Sequence, residues 1–165
     1  MSDQSSSIRV TAQTYQYLQD SCARLSSKID EDRRELASLI CEEKDSTGNH
    51  PLMEATRQLD LLKDQLSTKE ILLAIAHVAP APVGDKVAVG STVRIRMSRC
   101  DGSEQPEERE FFIDGTSDNG RNDVQVITPY APLGEAIMGA KPGKKCSFKT
   151  PGGNEMIAEV ISVLN

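Results

Sequence analysis

The sequence has few aromatic residues and no surplus of positive charge. Aromatic residues make up 4% of the 165 residues and Trp is absent, so platforms for stacking nucleic-acid bases are not expected. The chain contains 19 Lys and Arg residues and 25 Asp and Glu residues, which gives a formal net charge of -6. A general binder of phosphate backbones needs a basic surplus, so the charge argues against this class.

The cysteines and histidines do not form a metal-binding pattern. Cys22, Cys41, Cys100 and Cys146 contain no Cys-x-x-Cys pair, and neither histidine lies beside a cysteine pair in a zinc pattern. We therefore expect four reduced thiols and a cytoplasmic protein. The sequence also lacks a signal-peptide pattern and an apolar run of about 18 residues, so no membrane partner is expected.

Two long leucine-rich segments flank a short polar turn. Apolar residues recur at steps of three and four at Leu18, Cys22, Leu25, Ile29, Leu36 and Leu39 or Ile40, and then at Leu52, Ala55, Leu59, Leu62, Leu66 and Leu73. This spacing predicts an antiparallel α-helical coiled-coil hairpin over residues 1–79. Each arm would be about 40 to 50 Å long, at roughly 1.5 Å per residue.

The tip of the predicted hairpin, residues 43–51, is acidic. Glu42, Glu43 and Asp45 lie in it or beside it, and Pro51 suits the first position of the second helix. Taken alone, this stretch is typical of a simple turn. Because the two arms would bury each other's leucines, a monomer is expected. A structural oligomer built through the leucine seams is the alternative, and the mass in solution separates the two.

A change of composition divides the chain. Residues 80–86 form a linker rich in Pro and Gly, and residues 87–165 contain short β-type runs separated by turn residues. The runs predict strands at 92–99, 109–114, 124–128, 145–150 and 155–163, with a short helix at 132–139. The fold class is therefore α+β, with the helical hairpin followed by a small antiparallel β-sheet domain. Thr11 is the expected N-cap of the first helix.

The second part contains a long series of motifs. They are residues 89–93 (VGSTV), 112–115 (FIDG), 127–139 (ITPYAPLGEAIMG), 141–143 (KPG) and 150–153 (TPGG). In these motifs and their spacing the chain resembles the C-terminal domain of the bacterial Gre transcript-cleavage factors, a family of transcription elongation factors. The helical hairpin is similar to that family in length and position.

The resemblance implies a fold like that of FK506-binding proteins for residues 87–165, docked at the rim of the secondary channel of bacterial RNA polymerase. The hairpin would enter the channel and modulate elongation and backtracked complexes, close to the RNA 3′ end. The protein would be no enzyme itself and would bind no cofactor alone. Its tip acids Asp45, Glu43 and Glu42 would lie near the polymerase's Mg²⁺, with Asp45 as the candidate ligand. The candidates for docking on the polymerase are Tyr130, Pro132, Leu133, Gly134 and Glu135.

The tip departs from the family pattern. Asp45 matches the family's Asp, but Gly48 and Pro51 stand where two Glu residues are expected, and Leu52 replaces a Tyr. Mg²⁺ is commonly held by one or two carboxylates, and a second metal held in this way activates water for phosphodiester hydrolysis. A non-cleaving channel regulator or an inhibitor of transcription is therefore the alternative function.

A peptidyl-prolyl isomerase is the alternative of another class, because the second part resembles the fold of such enzymes. Fold alone does not carry function. An isomerase pocket needs an aromatic lining, and this part offers only Phe111, Phe112, Tyr130 and Phe148. Some of these side chains are needed for the core.

Overall fold

The computed structural model describes residues 7–42, 50–102 and 105–165. The elements are β1 (Ile8–Val10), α1 (Ala12–Glu42), α2 (His50–Ile75), β2 (Ala76–Val78), β3 (Thr92–Arg99), β4 (Glu107–Ile113), β5 (Gln125–Ile127), α3 (Pro132–Ile137), β6 (Lys145–Lys149) and β7 (Glu155–Leu164). The chain forms two compact units, a sheet unit of Met1–Tyr15 with Ala76–Asn165 and a helical unit of Gln16–Ile75.

The helical unit is the predicted antiparallel hairpin. The Lys69 ammonium lies 5.4 Å from the centre of the Tyr17 ring, so the end of α2 lies beside the start of α1. The most enclosed seam residue of α2 is Leu59, which is 5% exposed. Leu39 is half-buried whereas Ile40 is 56% exposed, so Leu39 is the residue that continues the seam.

One seam position of α1 is acidic. Asp32 lies three residues after Ile29 and four before Leu36, in step with the leucines, and its side chain is only 17% exposed. Its carboxylate lies 2.8 Å from the Lys28 ammonium. The hydrogen bond from Lys28 and the negative charge of Asp32 raise the pKa of Lys28. The seam therefore contains a carboxylate at a position where coiled coils usually carry an apolar residue.

The sheet unit contains a five-stranded sheet of order β5-β4-β3-β7-β6. β3 pairs antiparallel with β4 and β7, and β6 pairs antiparallel with β7. β5 runs parallel to β4, with Val126 opposite Phe112. The sheet is thus mixed, whereas the sequence predicts an antiparallel one. The reason is that residues 114–124 carry the chain back along the sheet before β5 begins, as a parallel pair requires.

The core lies between one face of this sheet and α3. Along β3, Val93 and Ile95 are fully buried while Arg94 and Arg96 face outward, the alternation of a sheet covered on one side. The core residues are Val87, Val93, Ile95, Phe111, Ile113, Ile137, Ala140, Ala158 and Val160. On the outer face, Arg96 lies 2.6 Å from Glu108 in a cross-strand ion pair.

Two short strands were not predicted from the sequence. β1 pairs parallel with β2, and Val10 lies opposite Val78. Val10 is fully buried and Ala76 is 6% exposed, so burial of these side chains stabilises the two strands. Three residues are too few to show the alternating sequence pattern that predicts a strand. None of the helices in the described part of the chain combines the length and apolar character needed to cross a membrane.

Candidate functional site

The predicted tip is described only at its two flanks. Glu42 ends α1 and His50 begins α2, while Glu43 and Asp45 lie outside the described residues. The assignment of these acids to a shared metal therefore stays a prediction. Leu52, which replaces the family's tip Tyr, is half-buried and continues the leucine seam of α2.

Tyr130, the first docking candidate, lies on the surface of the sheet unit. Its side chain is 58% exposed, and its hydroxyl donates a hydrogen bond to the Ser7 carbonyl oxygen at 3.3 Å. It borders a cavity of about 320 Å³. The other residues that line this cavity are Arg9, Ala79, Pro80, Ala88, Val89, Pro129 and Met138. Tyr130 thus lies at the rim of a mainly apolar hollow.

Pro132 and Glu135 are exposed on α3 and border a different hollow, of about 310 Å³, between α3 and β6. Leu133 packs against the core, and Gly134 is buried. A Cβ atom on Gly134 would overlap the carbonyl oxygen of Thr128. The structure therefore distributes the five candidates over two surface hollows and the core, and their role in docking stays a prediction.

A buried carboxylate joins the start of α1 to the sheet. Asp114 is fully buried and accepts hydrogen bonds from the Thr11 backbone N–H at 3.2 Å, the Thr14 hydroxyl at 2.5 Å and the Gly115 N–H at 2.8 Å. The Thr11 hydroxyl accepts from the Thr14 N–H at 3.2 Å, which confirms the predicted N-cap. In the sequence, Asp114 belongs to the FIDG motif of residues 112–115, and no local signal marks its role.

Gly115 allows the chain to pass close to β1. A Cβ atom at this position would overlap the carbonyl oxygen of Arg9, so no larger residue fits without a backbone shift. Nearby, the Arg121 guanidinium lies 4.1 Å from the centre of the Phe112 ring and donates to the Gln13 side-chain oxygen at 3.1 Å. These contacts and the Asp114 cluster fix the first turn of α1 within the sheet unit.

The aromatic side chains do not gather around one cavity in the described residues. Phe111 and Phe112 are 2% and 5% exposed, Phe148 packs against the core, and the hollow beside Tyr130 has no second aromatic lining residue. Nor does the described part of the chain contain a group of three or more side chains arranged to hold a metal ion.

Comparisons with known proteins identify the family. Residues 81–165 match the family described as "Transcription elongation factor, GreA/GreB, C-term". Transcription elongation factor GreA of Mycobacterium leprae is 32% identical over 134 residues, which are 79% of this chain and 74% of the relative. Transcription elongation factor GreA of Saccharopolyspora erythraea is 28% identical over 145 residues, which are 84% of this chain and 86% of the relative.

Among solved structures, the chain is similar to GreA factor homolog 1 (Gfh1) of Thermus thermophilus, with a TM-score of 0.45 and 20% identity over 96% of this chain and 99% of that one. The family match covers more than half of the chain, and the likeness to the M. leprae relative extends into the helical unit. This protein therefore belongs to the GreA/GreB family of transcription elongation factors.

Proposed function

We propose that this chain binds bacterial RNA polymerase, with the sheet unit at the rim of the secondary channel and the hairpin inside it. There it modulates elongation by acting on backtracked complexes through the polymerase's own active centre. The observation that carries the proposal is the family match over residues 81–165, joined to a helical hairpin of the kind this function needs.

The length of the hairpin supports this mechanism. α1 has 31 residues and α2 has 26. At about 1.5 Å per residue, α1 is on the order of 45 Å long. Ile29 of α1 and Leu59 of α2 are 4% and 5% exposed, so the chain buries these two seam positions without a partner. A narrow rod of this length suits insertion into a channel. In the sequence, Glu42 ends its first helix, and Glu43 and Asp45 follow before its second helix.

The chemistry at the tip is expected to be weak. Asp45 is the one carboxylate that matches the family's working pair, because Gly48 replaces the first Glu. Pro51 lies in the first turn of α2 and Leu52 belongs to the seam. Neither side chain contains an oxygen atom, so neither replaces the missing ligands. A single carboxylate holds a second Mg²⁺ less tightly and less rigidly than a pair. We therefore propose that transcript cleavage is stimulated weakly, or that the tip occupies the channel without cleavage.

The test uses backtracked bacterial elongation complexes with Mg²⁺ and a labelled RNA. The protein should compete with another channel-binding factor for the polymerase and shorten the RNA slowly. Asp45→Ala should abolish the shortening and leave competition unchanged. Asp64→Ala is the matched control because it removes the same charge from an exposed position within α2.

Three outcomes are distinguishable. Competition without shortening supports the non-cleaving alternative. Shortening that survives Asp45→Ala removes Asp45 from the mechanism. Absence of competition at concentrations that saturate a known factor refutes polymerase binding altogether.

A further inference from the structure

Among the described residues, the outer edge of β6 carries backbone groups that pair with no other strand. β6 is the last strand of the five-stranded sheet and pairs on one side only, with β7. The Val160 N–H donates to the Lys144 carbonyl oxygen, and the Thr150 N–H donates to the Asn154 carbonyl oxygen. Hydrogen-bonded positions alternate along an antiparallel pair. The N–H and C=O groups of Lys145, Ser147 and Lys149 therefore point away from β7.

The side chains along this edge have two distinct faces. Lys145, Ser147 and Lys149 are exposed on the solvent face of the sheet. Cys146 and Phe148 are half-buried on the other face and pack against the core. A strand added beside β6 would therefore place alternate side chains next to the lysines and next to Phe148.

A hollow lies beside the edge on the Phe148 side. It has a volume of about 310 Å³ and lies between α3 and β6. Its lining residues are Pro132, Glu135, Ala136, Ser147, Phe148 and Lys149. This volume is at the lower end of the range of ligand pockets and accommodates one or two aliphatic side chains. Protection of the edge against aggregation explains the lysines but does not require such a hollow.

The lysines at this edge favour an acidic partner. Lys144 and Lys145 form no ion pair within the described residues, and the Lys149 ammonium pairs with Glu155 at 3.5 Å, where both side chains are more than half exposed. Such an exposed ion pair contributes little to stability, so the Lys149 ammonium is available to pair with a carboxylate of a partner. A second copy of β6 would place lysine beside lysine, which disfavours pairing between two copies of this edge.

We propose that the β6 edge binds an extended acidic segment of a partner protein by strand addition. The segment carries acidic residues four positions apart, opposite Lys145 and Lys149, with aliphatic residues between them that enter the hollow beside Phe148. Backbone hydrogen bonds supply affinity, and the lysines and the hollow supply specificity. The opposite edge, β5, spans only three residues and offers fewer backbone groups. This site is independent of the polymerase proposal and is tested without polymerase.

The first experiment is a titration of the full chain with two blocked peptides, SEVTVES and its basic counterpart SKVTVKS, followed by NMR. The acidic peptide should bind at least about tenfold more tightly than the basic one. It should slow hydrogen exchange of the amides of Lys145, Ser147 and Lys149. The amides of Cys146 and Phe148 already face β7 and should change little. No binding of the acidic peptide up to about 1 mM, or equal binding of both peptides, overturns the proposal.

A pair of matched variants locates the site. Ser147→Pro removes an outward N–H without breaking the β6–β7 ladder, a position where an edge strand tolerates proline. It should weaken acidic-peptide binding about tenfold, whereas Ser147→Ala keeps the N–H and should change it less than twofold. Unchanged binding by a folded Ser147→Pro protein refutes the site.

A charge reversal gives a second and independent readout. Lys145→Glu combined with Lys149→Glu keeps the backbone and should reverse the preference between the two peptides. Both side chains are exposed, so this variant is expected to fold even if Ser147→Pro does not. Retention of the preference for the acidic peptide refutes the role of the lysines.

Discussion

Removal of the Asp114 carboxylate is expected to loosen the first turn of α1 within the sheet unit. Asp114 is fully buried and accepts hydrogen bonds from the Thr11 N–H, the Thr14 hydroxyl and the Gly115 N–H. In Asp114→Ala, these donors lose a charged acceptor at a fully buried position. The N-cap of α1 loses its support at the same time.

The expected loss of unfolding free energy follows from the hydrogen bonds that the substitution removes. Hydrogen bonds to a charged group contribute about 1.5 to 3 kcal/mol each, and they are not additive within one cluster. Part of that sum offsets the cost of burying the carboxylate. We expect Asp114→Ala to lower the free energy of unfolding by about 3 to 5 kcal/mol. Thr14→Val keeps the shape of the side chain, removes one donor, and should cost about 1 to 2 kcal/mol.

The assay is urea denaturation followed by circular dichroism, with hydrogen exchange of the Thr14 and Tyr15 amides as the local measurement. The double variant should cost less than the sum of the two single variants by about 1 to 2 kcal/mol, because both changes break the same contact. Asp85→Ala is the control, since it breaks an exposed ion pair with Lys141 and should change stability by under about 0.5 kcal/mol. A loss under about 1 kcal/mol for Asp114→Ala, or additive single changes, refutes the reasoning.

Two further predictions concern stability. Gly134→Ala should destabilise the sheet unit by about 2 to 4 kcal/mol, because its methyl group overlaps the Thr128 carbonyl oxygen; Gly152→Ala, where the nearest atom would lie 3.9 Å away, is the near-neutral control in the same denaturation assay. Asp32→Leu should stabilise the helical unit by about 1 to 2 kcal/mol, because it replaces a carboxylate in the leucine seam; an unchanged or lower melting temperature contradicts this. The same change should lower the pKa of Lys28 toward its ordinary value in an NMR titration, since Asp32 is what raises it. In the native chain this raised pKa makes the pair favourable below the ordinary lysine pKa, and the contribution disappears as the pH rises through the raised value.

The helices and most strands were predictable from the sequence because their signals are local. The step of three and four residues predicts the hairpin, and the run at 92–99 coincides with β3. Thr11 is a short polar residue directly before a helical period, and the structure confirms it as the N-cap. Each of these signals lies within a few residues of the element that it marks.

The pairing of distant segments was decided only by the tertiary structure. β5 runs parallel to β4. β1 pairs with β2 although both helices of the hairpin lie between them in the sequence. The hydrogen bond from the Thr11 N–H to Asp114 joins residues 103 positions apart, and no local pattern marks such a contact. Burial likewise selected Leu39 over Ile40 for the seam.

The candidate sites divide in the same way. The sequence alone indicated the family motifs, the acidic tip and the 127–139 segment, because these are runs of neighbouring residues. It could not separate exposed Tyr130 and Pro132 from buried Gly134, since exposure depends on what packs over each residue. The open edge of β6 likewise follows from strand order, which is a property of the assembled sheet and of no single stretch of the chain.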